Sequence, residues 1–421
     1  MRLCPFRHTA PVSTTQASYR AVLRDREVRA LLVSDGLSSL GDQVARIAVA
    51  LLVLDRSGSA LAASATYALS YLTWMVAGPL LSAIPDRYPR RRVMVVCDLL
   101  RAAMVAALAV PGLPLWVVFA VLTVTGALAP PNDAARSALL ADLLDGERYV
   151  KANALNNGIG QAAQVVGFVS GGALVVAVGA RGALLVDALT FALSALLLQA
   201  VVRERQLERV AAVSSARAEA TAGVRLVLGD ARLRSLLAWG LLTACSVIAT
   251  EGLAVAVVAE QGGSPFLAGV LTAAAPVGFL IGSVLLLRVP AERREALFPW
   301  LVASTCLPLA LSPLVDDLRV LVGLWVLAGL GNALQLVANS AFVQAVPSHL
   351  RGRAFGVAGA ALFAGQGAVL LAAGGLAELV GPREAVALVA VACLPALLVV
   401  RQTSSLVPEA QGTPPFGRSG P

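Results

Sequence analysis

The sequence predicts an all-α membrane protein: twelve transmembrane helices in two pseudo-symmetric six-helix bundles. Three observations predict it. Apolar residues make up 58% of the 421-residue chain and charged residues only 14%, against about 45–50% and 25% in a soluble domain. Charge-free runs such as 102–132 exceed the ~20 residues that cross a bilayer as helix. An arginine-rich polar stretch, 203–232, then divides the apolar runs into two groups of six. Alternating ten-residue barrel strands are absent from this pattern, and disorder is excluded by the excess of apolar surface.

The spans follow from apolar runs closed by charges or by Gly and Pro clusters. Behind a polar tail (1–28), the first bundle occupies 29–202. Its spans are 29–54, 60–84, 93–111, 115–140, 152–177 and 181–202. The linker 203–232 holds a short interfacial helix at 218–228. The second bundle, 233–402, has spans 233–258, 265–288, 296–314, 318–341, 353–378 and 383–401, followed by a tail, 403–421. A shift of 203 residues places Arg136-Ser137-Ala138 on Asn339-Ser340-Ala341 and Arg148 on Arg351. Parallel six-helix halves with a site between them are an architecture of secondary transporters.

Charge sets the orientation. With the N-terminus in the cytoplasm, 27 of the 33 basic residues fall on the cytoplasmic side. Only Arg56, Arg181, Arg319 and Arg383 fall outside, and Arg46 and Arg101 lie within spans. The positive-inside rule selects this arrangement, with both termini cytoplasmic and the chain a multi-pass protein of the cell membrane. The net charge of +8 is then explained by anionic lipid, without nucleic acid. No signal peptide precedes the first apolar run, near Ala30. The five cysteines (Cys4, Cys97, Cys245, Cys306, Cys393) form no CxxC pair, and the only histidines are His8 and His349. No metal site, disulfide framework or cofactor is expected.

The loop after the second span reads Ser82-Ala-Ile-Pro-Asp86-Arg87-Tyr-Pro-Arg90-Arg91-Arg92. It resembles the G-x-L-x-D-R-x-x-R-R signature of the major facilitator superfamily. Ser39-Leu40-Gly41-Asp42 with Arg46, Asp98-Leu-Leu-Arg101, Ala135 to Leu140, Asn153-Ala154-Leu155 and Arg351-Gly352-Arg353 with Phe355-Gly356 resemble its drug, macrolide and siderophore exporters of the enterobactin-exporter type. Departures are Ser82 and Pro89 for glycines and a second-half loop, 282–294, without the aspartate. The antiporter-type G-P-x-x-G-G appears without its proline, as Gly167-Phe168-Val-Ser-Gly171-Gly172, and no arginine lies in 115–133. The resemblance implies twelve helices, alternating access and a gating loop of Asp86, Arg87, Arg90 and Arg91. In that loop Asp86 would engage the start of span 11 near Gly356 when the cytoplasmic side is closed. Arg87 or Arg91 would reach Asp133.

A charge at the bilayer centre costs at least ~2.5–3.5 kcal/mol, so each asks for a partner or a purpose. Span 1 carries three. Asp35 and Asp42 lie two turns apart on one face, and Arg46, four residues on, is spaced to pair with Asp42 as a structural charge pair. Asp35 has no charged neighbour at that spacing and reads either as a proton carrier or as a group solvated at the cytoplasmic mouth. Glu251 is the only acidic residue deep in the second half: a proton or cation site, or part of a wet vestibule. Proton coupling therefore falls to Asp35, Glu251 or Asp42. Asp98–Arg101 and Asp187 read as structural. Cavity candidates are Tyr67, Tyr71 and Trp74 on one face of span 2. Span 5 adds Asn157, Gln161 and Gln164 (with Asn153 and Asn156), and span 10 adds Asn332, Gln335 and Asn339; interhelical hydrogen bonding is the competing role.

No Walker pattern, nucleophile elbow or HExxH occurs, so an enzyme is not expected. The expectation is a monomeric transporter that exports a small amphipathic organic compound (a drug, macrolide-like product or siderophore) in exchange for protons. Alternatives are a proton-coupled uptake symporter or facilitator, and a sensor or scaffold that no longer transports.

Overall fold

The structure, a computed structural model, describes residues 19–205, 216–347 and 350–405. Cys4, His8 and His349 lie outside the described residues. A short helix, α1 (Tyr19–Arg24), precedes the first span, α2 (Arg26–Ser57). Then come α3 (Ala60–Leu81), α4 (Arg90–Leu108), α5 (Leu115–Ala127) and α6 (Ala129–Leu143), and the long α7 (Gly146–Val201). In the linker α8 (Ala216–Gly229) covers the expected interfacial helix. The second half has α9 (Ala231–Glu260), α10 (Pro265–Leu287), the single turn α11 (Ala291–Arg294) and α12 (Phe298–Ala310). It ends with α13 (Leu318–Asn332), α14 (Leu334–Ala345), α15 (Arg351–Val380) and α16 (Pro382–Ser405). Nine helical stretches among the described residues are long and apolar enough to cross a membrane.

Splitting α7, which is two spans, makes ten of these stretches, and α4 and α16 complete the twelve. Gly179 has φ 76°, a left-handed backbone that only glycine adopts without strain, and it breaks the 56-residue helix between spans 5 and 6. Gly381, φ 102°, does the same between α15 and α16. Spans 4 and 10 are each broken in the middle, at Leu128 and at Ala333.

These landmarks expose the repeat. The carboxylate of Asp25 caps α2 by accepting from the Glu27 and Val28 amides, and Asp230 caps α9 in the same way through Arg232 and Leu233. Ser59 and Ser264 cap α3 and α10. Both pairs, and the breaks at Leu128 and Ala333, are separated by 205 residues. The helix starts thus set a register two residues longer than the sequence comparison gave.

In the second half the core is built around α9, whose neighbours bury Trp239, Leu253 and Trp325. Separate apolar clusters hold the first half together, one around Leu31, Met94 and Leu139 and one around Val44, Leu108 and Phe191. The halves meet where small residues let backbones touch. A Cβ added at Gly172 in α7 would lie 3.0 Å from the Phe266 Cα and 3.2 Å from the Gly269 Cα of α10. At the same end Glu378 of α15 accepts from the Ser59 hydroxyl at 2.7 Å and the Leu61 amide at 3.0 Å. A turn deeper, Ser64 donates to the Leu370 carbonyl at 2.8 Å.

The opposite end is parted. Asp86 and Arg87 are exposed, and a Cβ at Gly356 would meet nothing within 4 Å. The Asp86–Gly356 contact expected of the closed gate is not made in this conformation. Arg87 and Arg91 do not reach Asp133 either. Arg91 donates to the Gln199 carbonyl at 2.7 Å, while Arg90 binds the Ala138 carbonyl at 3.0 Å and pairs with Asp142. The loop arginines thus tie α4 to α6 and α7. Asp133 lies a turn from Arg136 on the same helix, at 3.5 Å.

Candidate transport site

On the parted side the first half encloses a cavity of about 310 Å³ that opens toward the second. Its walls come from α2, α3, α4, α5, α6 and α7, with Phe363 of α15 bounding it from the second half. Next to it is a hollow of about 280 Å³ around Glu251, which shares Tyr71 and Phe363 with the first. The Phe363 ring stands 6.1 Å from that of Tyr71 and 4.8 Å from that of Trp74, forming an aromatic cluster where the two spaces meet.

The first cavity is floored by charge. Asp42 accepts from Nη2 of Arg101 with both oxygens, at 2.7 and 2.8 Å, and the guanidinium lies 4.3 Å over the Phe191 ring. Asp98 does not use Arg101. It accepts from the Asn132 amide and the Ser194 hydroxyl, both at 2.6 Å, and so ties α4 to α6 and α7. Asp35 is paired with Arg136, and both side chains are nearly buried. Asp187 is fully buried on α7.

Arg46 points the other way. It lines the same cavity as Asp42 but sits against the Tyr71 hydroxyl. Across the interface the Tyr71 hydroxyl and the Gln164 amide donate to the two oxygens of Glu251, at 3.4 and 3.3 Å. Two helices of the first half therefore hold a buried carboxylate of the second. An arrangement of titratable groups and aromatics in a water-reachable gap between two helical halves can bind an organic solute and change its own charge state. It offers no nucleophile–base pair.

Residues 31–303 match the Major Facilitator Superfamily. The chain belongs to that superfamily. It is 26% identical over 257 residues to the uncharacterized MFS-type transporter YfiS of Bacillus subtilis (strain 168), a match covering 60% of this chain and 61% of that one. To YkuC of the same organism it is 27% identical over 183 residues, 42% of each chain. The matches thus span well under two thirds of these relatives. Among solved structures it is similar to a mutant of the nucleoside transporter NupG, with TM-score 0.72 and 14% identity over 90% of this chain and 99% of that one. It is also similar to a bacterial homolog of the human lysosomal transporter Spinster in an inward-facing, unoccupied conformation (TM-score 0.62, 16% identity, 91% and 96% covered). The chain is a multi-pass membrane protein with the facilitator fold.

Within this facilitator fold the sequence candidates separate. Tyr71 and Trp74 line the cavity. Tyr67 does not: it is 1% exposed in the core and its hydroxyl has no partner. Gln161, Gln164, Asn332 and Gln335 surround Glu251, and Gln335 also donates to the Gly240 carbonyl at 2.8 Å. Asn157 joins Asp35 and Asp133 in a third hollow at the parted mouth. Asn339 is exposed and lines none of these spaces.

Two charge assignments are corrected. Asp42 pairs with Arg101 rather than Arg46, because Asp42 faces α4 while the Arg46 side chain reaches toward α3 and α9. Asp35 is neither isolated nor free, because Arg136, 101 residues on in the second segment of span 4, reaches it inside the bundle. That segment supplies the in-span arginine that 115–133 lacks. Phe363 and the Arg101–Asp42 contact join residues far apart in the chain, and no spacing rule reveals them.

Proposed function

We propose that the protein exports a small amphipathic organic compound, neutral or cationic, in exchange for protons by alternating access. The observation that carries the reading is the cavity itself: an aromatic cluster of Tyr71, Trp74 and Phe363 above carboxylates that outnumber their arginines. Asp35, Asp42, Asp133, Asp187 and Glu251 stand against Arg46, Arg101 and Arg136. Arg101 and Arg136 already hold carboxylates, so a phosphate or dicarboxylate would find little to bind. An apolar body with few hydrogen-bonding groups, or with a positive charge, fits better. Such compounds cross lipid unaided, and a pump is useful only against the gradient. The basic loops support a cytoplasmic Asp86 end, in which case the conformation described is open to the cytoplasm, ready to load an exported compound.

The amides around Glu251 favour a second reading, uptake of a polar nutrient. Nucleoside and proton-dependent oligopeptide transporters share the fold. Expression in a bacterium lacking its own drug pumps decides between them. Lowered accumulation of amphipathic compounds, restored by a protonophore, is expected. Uptake of a polar nutrient without any drug phenotype would replace export.

A further inference from the structure

Asp187 has chemistry that the site described above does not use. Its side chain is fully buried, yet it borders the charged cavity. Its Oδ2 meets no donor. Its Oδ1 is offered only the Thr190 hydroxyl, at 3.2 Å, and that hydroxyl is closer to the Asp187 carbonyl oxygen, at 2.8 Å. An ionised carboxylate left this way is costly, since buried charge requires a counter-charge and hydrogen bonds. The molecule makes special room for it. Gly41 on α2 lies so close that any Cβ there would collide with the Asp187 carboxyl and the Thr190 hydroxyl.

One cation stands near. Arg101 acts electrostatically on Asp187 and on Asp42, but both its hydrogen bonds to Asp42 leave from Nη2. Its Nε is buried without a partner. The guanidinium lies over the ring of Phe191, one turn from Asp187 on α7, yet by hydrogen bond it satisfies only Asp42. The other charged group facing this point, Asp98, is occupied by Asn132 and Ser194.

We propose that Asp187 is the proton-binding group of the transport cycle and that Arg101 is the switch that loads and unloads it. With Arg101 on Asp42, as seen here, Asp187 holds the proton. When Arg101 turns to Asp187, the carboxyl ionises and its proton passes to water in the cavity. Asp42, whose side chain is 31% exposed there, is then left as a free anion for the positive group of an organic cation. Proton and substrate are thereby made mutually exclusive through one arginine, which is the requirement for exchange. This inference rests on the proton-exchange reading and narrows its substrate to cations.

Both halves can be read on purified protein. In the infrared, wild type should show the carbonyl band of a protonated carboxyl group that Asp187→Asn lacks and Asp35→Asn keeps. Asp42→Asn should lose the band too, although Asp187 is intact, because Arg101 is released to it. That second variant decides the matter if Asp187→Asn folds poorly. With tetraphenylphosphonium as the probe, wild type in weak buffer should release a proton on binding, and Asp187→Asn should bind without release. Persistence of the band in either variant, or its absence in wild type, overturns the proton assignment. Wild type that does not bind the probe, or binds it without proton release, overturns the switch. Neither arm depends on the direction or driving force of transport, which the accumulation assay decides separately.

Discussion

Arg46 and Glu251 occupy the same position in the two halves: each is the twenty-first residue after the aspartate that caps its helix, Asp25 for α2 and Asp230 for α9. The pseudo-symmetry therefore sets opposite charges against each other at mid-membrane, with the Tyr71 hydroxyl beside both. A rocking motion of the halves changes this relation directly, since one partner belongs to each.

The first prediction concerns that relation. Opposite charges buried near each other offset one another, so removing one leaves the other less compensated, whereas removing both is milder. Arg46→Ala should lower the melting temperature in detergent, and adding Glu251→Gln should recover most of the loss. Additive losses in the double variant would show that the two side chains do not sense each other.

Asp35 and Arg136 give the second. Asp35→Asn strips a nearly buried arginine of its main partner, leaving Asp133 on the adjacent turn and a long hydrogen bond to Asn132. The variant should lose about 3–5 kcal/mol of stability, and Arg136→Gln combined with it should regain it. Thermal unfolding of the two variants checks this. An unchanged melting temperature with loss of proton-driven transport would return Asp35 to the role of proton carrier.

How much of this was legible depends on the range of the interaction. The spans could be read because each is a local property, an apolar run ended by charge or glycine. The same holds for caps such as Asp25 and Ser59. Charge partners could not, because Asp42 and Arg101 are 59 residues apart and Asp35 and Arg136 are 101 apart. The i,i+4 rule offered Arg46 to Asp42 correctly as a neighbour on the helix. It could not know that α4 presents a second arginine or that Glu251 draws Arg46 away. Asp187 reads from sequence as structural, because no spacing rule links it to the charges of span 1. Only Gly41, by admitting its carboxyl to the interior, brings it to the cavity.

The third prediction tests the loop at the parted end. Asp86 is exposed here, so Asp86→Asn should leave thermal stability unchanged. If the carboxylate meets the start of α15 when that end closes, it gains about 0.3–1 kcal/mol from the helix dipole. Transport should fall several-fold at equal expression. Full transport by the variant would remove Asp86 from the gate.

The fourth concerns the sealed end. Glu378 spans the halves, accepting from the Ser59 hydroxyl and from the Leu61 amide in the first turn of α3. The amide is one of the donors that a helix start leaves unsatisfied, and a carboxylate is favoured there by charge as well as geometry. At about 0.5–1.5 kcal/mol for each bond, losing both shifts the balance between the sealed and open states by several-fold to about a hundredfold. Glu378→Ala should therefore raise the fraction of molecules open at this end. Single cysteines facing the gap should react faster with a membrane-impermeant thiol reagent, in a background freed of native cysteines. Ser64, a turn deeper, keeps its own bond to the Leu370 carbonyl, so the fold itself should hold. An unchanged labelling rate would mean that the backbone contact of Gly172 with α10 seals this end alone. Gly172→Leu should then open it where Glu378→Ala does not.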